Sequence, residues 1–288
     1  MNTRTYAREV FDHTKIREHL APVLYARFER SLARQEPLDS EVADVLARAI
    51  ATWARQEGAT HFAHWFQPLT GLTAGKQESF LIRTREGGFL EDFSGEHLIR
   101  SEPDASSFPH GGMRSTFEAR GYTAWDPASP VFIARHSGAC VLMVPSLFVG
   151  FHGEVLDKKT PLNRSTRLIH EEARSLLSCL GQKVDWVRAM AGPEQEFFLF
   201  REEDVAARPD LRTVQRLLFA ARPARGQQMG DHYFGDLPAQ VLRFYEAVEE
   251  ESLRLGIPVK TRHAEVAPNQ FEIAPIYEEA GMAADHNQ

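Results

Sequence analysis

The sequence predicts an α+β protein in three segments: a helical extension over residues 1–60, a small sheet domain over 61–153 and a mixed helix–strand domain over 154–288. Three observations predict it. The first segment carries one continuous helical apolar stripe. The second breaks into short apolar runs separated by Gly, Pro and Ser. From about Glu154 helical and strand patterns alternate. At 288 residues the chain is long enough to bury a large core.

Within the first segment, Ser40 is placed to cap a helix whose apolar positions are Val42, Val45, Leu46, Ala49, Ile50 and Trp53, with Gly58 just past its end. The second segment offers Ser79–Ile82, Gly88–Leu90, Val131–Ile133 and Val141–Val144 as strands of a mixed or antiparallel sheet. In the third, Pro161 opens a helix carrying Leu162, Ile169, Ala173, Leu176 and Leu180, which ends at Gly181. Val187–Phe200 contains a strand, and the arginine-rich stretch from Glu202 to Arg225 reads as loop plus solvated helix. Leu237–Leu255 is a second amphipathic helix, with Val241, Phe244, Tyr245 and Val248 inward and Gly256 and Pro258 as its stop.

Composition narrows the class. Hydrophobic residues make up 43% and charged residues 25%, as in ordinary globular proteins. The net charge of −7 argues against a general nucleic-acid binder. Cys140 and Cys179 have neither disulfide nor metal-site spacing and read as buried thiols in a reducing compartment. The N-terminus lacks an apolar signal core, and the run from Ala139 to Phe151 is interrupted by Pro145 and Ser146 and is too short to span a bilayer. The expectation is a cytoplasmic protein with no membrane partner. Lys158 and Lys159 read as solvated or interface charges.

Chemistry concentrates in two places. In Gly192-Pro193-Glu194-Gln195-Glu196-Phe197-Phe198-Leu199-Phe200, two carboxylates stand at i and i+2 ahead of a strand-forming run. On a strand they share one face. Adjacent like charges disfavour each other's ionisation, and a hard divalent cation such as Mg²⁺ or Mn²⁺ is the usual way to hold them together. A polar strand start is the plain alternative. Downstream, Thr261-Arg262-His263-Ala264-Glu265-Val266-Ala267-Pro268-Asn269-Gln270-Phe271-Glu272-Ile273 adds two more glutamates around a proline. Pro268 interrupts a strand, so strand, turn, strand is expected, and such a break can aim Glu265 and Glu272 at one point despite their odd spacing. Two surface carboxylates are the alternative here.

Gly-Pro-Glu-Gln-Glu-Phe-Phe-Leu and Glu-Val-Ala-Pro-Asn-Gln-Phe-Glu resemble the two metal-binding motifs of the glutamine synthetases, and specifically the long bacterial type III branch. The resemblance extends through His64-Trp65-Phe66-Gln67-Pro68-Leu69-Thr70-Gly71, Glu102–Phe108, Gly121–Pro127, Gly153–Leu162 and the closing Asp285-His286-Asn287-Gln288, so it covers nearly the whole chain. It implies a β-grasp-like domain over 61–153 and the first part of a glutamine synthetase catalytic α/β domain over 154–288.

It also implies an activity: ligation of ammonia to L-glutamate by way of γ-glutamyl phosphate, with ATP and Mg²⁺ or Mn²⁺ as cofactors. By motif match Glu196, Glu265 and Glu272 would ligate the metal beside glutamate, and Glu194 the metal that bridges the ATP phosphates. Asp104, with Ser106 and Ser107, falls where the family's loop reaches a neighbouring subunit and its aspartate binds ammonium and assists deprotonation. Tyr233 or Phe234 would contact adenosine, in a segment that is not a P-loop. Asn269 and Gln270 would line the glutamate pocket. For His263 two readings stay open, a supporting place beside the metal or an ordinary core or surface histidine. The family assembles as homo-oligomers of stacked hexameric rings, a dodecamer for the complete enzyme.

The family's catalytic domain continues beyond Gln288, with a metal-binding histidine, phosphate- and glutamate-binding arginines and a further metal glutamate that have no match here. The expectation is the N-terminal part of a longer ligase, with little or no activity alone. A truncated, non-catalytic paralogue that joins or regulates a full-length synthetase is the alternative. A related carboxylate–amine ligase is a third reading.

Overall fold

A computed structural model describes residues 5–34, 38–67, 74–101, 121–150, 154–219, 233 and 235–288. The chain opens with a short strand β1 (Val10–Phe11), followed by helices α1 (His13–His19), α2 (Pro22–Arg34) and α3 (Ser40–Gln56). The cap of α3 is Asp39 rather than Ser40: its carboxylate accepts from the Val42 N–H, and Ser40 is the first helical residue. Carboxylate and hydroxyl are both good caps, so the sequence leaves the boundary open by one residue. Of the predicted stripe, Val42, Leu46 and Ile50 are completely inaccessible to solvent, while Val45, Ala49 and Trp53 are partly buried against the same core; Ala43, Ala47, Ala51 and Ala54 complete the buried face.

That face packs on a sheet built from β2 (His61–Phe66), β3 (Ala74–Ser79), β6 (Arg100–Ser101), β7 (Gly121–Trp125), β8 (Val131–His136) and β9 (Ala139–Gly150), joined by β1. The main path runs β1-β8-β9-β2-β3, with β7 pairing β9 and β6 pairing β7. Pairing is antiparallel except between β2 and β9. A separate hairpin of β4 (Leu81–Arg83) and β5 (Phe89–Glu91) precedes the short helix α4 (Gly95–Ile99). Phe11, Phe28, Phe62, Phe93, Ile133 and Leu142 complete one core with α3. Each fully buried side chain of this size contributes roughly 2 kcal/mol of hydrophobic stabilisation.

The longest apolar run, read above as too short for a bilayer, is the central strand β9. Pro145 sits inside it, which a central strand normally forbids. The register explains why it is tolerated. Residues 139–143 pair with β8 and residues 146–150 with β7, so Pro145 falls where β9 changes neighbours on that side. No helix is long and apolar enough to cross a membrane among the described residues.

One buried base lies in this sheet. His64 is 4% exposed. Its Nε2 lies 2.8 Å from the His97 carbonyl and its Nδ1 3.0 Å from the Ser146 hydroxyl. A carbonyl only accepts, so Nε2 carries the proton and Nδ1 is the acceptor. Burial pushes its pKa down to about 4.

The third segment is laid out around helices α5 (Lys159–Cys179), α6 (Glu202–Ala206), α7 (Pro209–Val214), α8 (Ala239–Arg254) and α9 (Ala280–Asn287). The single strand expected in Val187–Phe200 is two: β10 (Met190–Ala191) pairs with β14 (Glu278–Glu279), and β11 (Gln195–Phe198) pairs with β13 (Gln270–Pro275). Gly192 and Pro193 lie between β10 and β11. β12 (Val259–Ala264) completes a three-stranded antiparallel sheet of order β11-β13-β12. α5 buries only Thr160; Leu168 and Leu176 on it, and Leu180 at its C-cap, are more than half exposed.

Two readings of single residues are corrected. Cys179 is exposed and Cys140 half-buried rather than both buried; Cys179 is the last residue of α5. Lys159 is not solvated. Its ammonium is held by Asp285 at 2.5 Å, by Asp126 at 3.3 Å and by the Ser129 hydroxyl. Burial works against its charge, but the two carboxylates outweigh that and hold its pKa above the ordinary value. The cluster joins the turn after β7, the start of α5 and the end of α9. At the other side, the Ala7 and Glu9 N–H groups donate to the Leu253 and Arg254 carbonyls at the end of α8.

Candidate metal centre

Strand alternation sorts β11, β13 and β12 into two faces. Phe197, Phe271 and Ala264 pack with Val241 and Tyr245 of α8. The opposite parity carries the acids. Register pairs Glu196 with Glu272 and Glu272 with His263, so these three form one row straight across the sheet. Glu194 stands two residues before Glu196, and Glu265 two residues after His263.

The odd spacing of Glu265 and Glu272 is resolved by a tight turn. The Gln270 N–H donates to the Ala267 carbonyl, with Pro268 and Asn269 between them, and Asn269 has φ 62°. Proline at the second turn position and a left-handed asparagine at the third are favoured choices for such a reversal. The Glu265 N–H then donates to the Gln270 carbonyl, which continues the pairing past the end of β12.

Two groups of donor atoms result. One oxygen each of Glu194, Glu196 and Glu272 lie within 4.8 Å of one another, as do donor atoms of His263, Glu265 and Glu272. Glu272 belongs to both and is 5% exposed. Burial is the main cause that pushes its carboxyl above the ordinary value. The adjoining Glu265 carboxyl and the charge of Glu194 add to the push, and His263 opposes it. His263 is itself held above its ordinary value, first by the Ala264 carbonyl that accepts from Nδ1 at 2.9 Å and then by Glu272 and Glu265. Its Nε2 faces the Glu272 carboxylate at 3.2 Å. Among the described residues, Glu265 and Glu272 make ion pairs with His263, at 3.5 and 3.2 Å.

The arrangement fits a hard divalent cation. Every carboxylate offers oxygen, the shared one is buried and crowded by like charge, and a cation would offset both the burial and the repulsion that raise Glu272. The structure brings all four glutamates to one face of the sheet, but it groups Glu194 with Glu196 and Glu272, and Glu265 with His263 and Glu272, rather than Glu196, Glu265 and Glu272 apart from Glu194; His263, left between two readings, lies in the same row.

The remaining described candidates lie beside the same residues. Gln270 donates from its amide to Glu196 at 3.0 Å, while Asn269 is exposed at the turn. Tyr233 lies with its ring 5.1 Å from that of His263 and lines a cavity of about 590 Å³ with Leu237, Leu242 and Arg262. Asp104 and Phe234 lie outside the described residues. Sequence reasoning missed Tyr245 as anything but a core residue: its hydroxyl reaches the backbone carbonyls of both His263 and Glu272. The only signal was a polar tip within an otherwise apolar stripe.

Residues 2–165 match the family described as glutamine synthetase type III N terminal, and residues 166–288 match the glutamine synthetase catalytic domain. The chain is 45% identical over 283 residues to a glutamine synthetase of Bacteroides fragilis, covering 98% of this chain and 38% of that protein. It is 45% identical over 287 residues to the type-3 glutamine synthetase of Dictyostelium discoideum, covering 99% of this chain and 39% of that protein. The chain thus spans under two-fifths of the length of these curated relatives. A Plasmodium falciparum glutamine synthetase structure superposes with a TM-score of 0.51 at 15% identity, over 82% of this chain and 46% of that one, a likeness of fold. With both halves matched by its two family models and its acids gathered on one sheet face, the chain belongs to the type III glutamine synthetases.

Proposed function

We propose that the whole protein is a glutamate–ammonia ligase, joining ammonia to L-glutamate through γ-glutamyl phosphate at the expense of ATP, and that this chain supplies its metal cage. The row Glu196–Glu272–His263, flanked by Glu194 and Glu265, is the observation that carries the reading. Bound Mg²⁺ or Mn²⁺ would neutralise charge on the transferring phosphoryl group and its neighbours. Glu196, Glu265 and Glu272 would hold the cation beside glutamate, and Glu194 the one beside the ATP phosphates. Gln270 steadies Glu196 through its amide. His263, on the same row, balances the charge of Glu272 and Glu265. Tyr233, facing the cavity beside His263, supports an adenosine contact by it or by Phe234. Asp104 would attract ammonium and accept its proton. Asn269, assigned to the glutamate pocket with Gln270, would act through the turn that brings Gln270 and Glu272 into place. A cytoplasmic homo-oligomer, dodecameric in the complete enzyme, belongs to the same proposal and rests on family likeness.

The test is Mn²⁺ titration of this chain, followed by the electron paramagnetic resonance of free Mn²⁺. Glu272→Gln removes the carboxylate common to both donor groups and is expected to weaken uptake at least about tenfold, as losses around metal ligands do. The metal-free variant should be no less stable than the parent, because a crowded buried carboxylate has been neutralised. Equal uptake by parent and variant overturns the reading.

A further inference from the structure

We propose that Tyr245 is a positioning residue for the metal centre, setting from behind the sheet the separation of the two strands that carry His263, Glu265 and Glu272; this rests on the metal reading above. Tyr245 is completely buried on α8. Its ring packs among the apolar residues of the helix-facing side of the sheet, 6.0 Å from Phe197. Packing alone would be served by phenylalanine. The hydroxyl is the distinctive part. It lies 2.8 Å from the Glu272 carbonyl and 3.0 Å from the His263 carbonyl.

Those two residues are register partners on adjacent strands. A carbonyl has two lone pairs, so it can accept a hydroxyl in addition to a strand partner. One O–H proton reaching two carbonyls fixes both backbones relative to a single oxygen atom. The side chains of the same two residues project to the opposite face, where their donor atoms meet. Any change in the strand separation at this pair is therefore passed directly to the donor spacing.

The helix that carries the hydroxyl is also anchored away from that pair. The last turn of α8 accepts the Ala7 and Glu9 N–H groups of the N-terminal segment. Tyr245 thus refers the metal centre to an element held from elsewhere in the chain. Residues that orient metal ligands without touching the metal typically change affinity by about 10- to 100-fold when lost.

The experiment is Mn²⁺ titration of the parent chain, Tyr245→Phe and Val241→Ala, with a thermal melt of each. Val241 lies one turn before Tyr245 in the same apolar cluster and is 5% exposed, so its truncation loosens packing while leaving the hydroxyl in place. Tyr245→Phe is expected to weaken Mn²⁺ binding about tenfold with little change in melting temperature. Val241→Ala is expected to lower the melting temperature and leave Mn²⁺ affinity unchanged. Parent-like affinity in Tyr245→Phe, or an equal loss in Val241→Ala, overturns the proposal while the metal reading stands. A parent chain that takes up no Mn²⁺ overturns both.

Discussion

Acid should weaken the N-terminal core through one buried histidine. His64 is held neutral by its surroundings: the His97 carbonyl fixes the proton on Nε2, Ser146 fills Nδ1, and burial opposes a charge more strongly than the nearby carboxylate of Glu78 favours one. Its pKa falls from the ordinary 6.5 to about 4. The unfolded chain takes up a proton near 6.5 and the folded protein only near 4, so between these values the unfolded state binds more protons. Stability from this group is complete above the upper value and is lost as pH falls toward the lower one. At about 1.4 kcal/mol per pH unit, the gap amounts to about 3 kcal/mol. Below the lower value both states are protonated and nothing further is lost. His64→Gln keeps an amide donor for the His97 carbonyl and does not titrate. Urea unfolding at several pH values, followed by the fluorescence of Trp53, Trp65 and Trp125 in the same domain, gives the two pH profiles. The parent should lose about 3 kcal/mol more than the variant across the window. Parallel profiles would refute the reasoning, because every other titrating group is common to both proteins.

Two further changes test the packing. Lys159→Met leaves Asp126 and Asp285 facing each other without their ammonium, and breaking such a buried pair costs about 3–5 kcal/mol; the loss should appear in a denaturant melt and be partly recovered by adding Asp285→Asn. Gly95 opens α4 against α3, where an added Cβ would lie 2.5 Å from Asp44 Oδ1 and 2.7 Å from the Asp44 nitrogen. Gly95→Ala should therefore cost about 1–3 kcal/mol, and an unchanged melting temperature would exclude so close an approach.

Legibility differed with the range of the forces involved. The helices read over Val42–Trp53 and Leu237–Leu255 were readable because apolar spacing is local: Val42, Leu46, Ile50, Val241 and Tyr245 are buried, while Val45, Ala49, Trp53, Phe244 and Val248 are only partly so. Strand alternation pointed to Glu194 beside Glu196, and their oxygens do meet, although Glu194 lies just before β11. That Glu265 joins them depends on the turn at Pro268 and Asn269, whose direction spacing alone does not give. Pro145 shows the limit most clearly: only the change of neighbours along β9 makes a proline acceptable there, and that change is a property of the sheet. Lys159 fails for a similar reason. Nothing near it in the sequence shows that Asp285, far along the chain, completes its site.

The acids also explain why the register of this small sheet is well defined. Glu196 and Glu272 are directly opposite, and like charges so placed destabilise a strand pair. The opposite face offsets this with Phe197, Phe271 and Ala264 packed under Val241 and Tyr245. A slip of β13 by one residue would exchange the two faces, setting Glu272 against the apolar helix and Phe271 in the acidic row. Both changes are unfavourable, so the charge that weakens the correct pairing weakens the wrong one more. Site and core are therefore alternate residues of the same strands, and a substitution on either face is expected to be felt on the other through the backbone, at the carbonyls that Tyr245 touches.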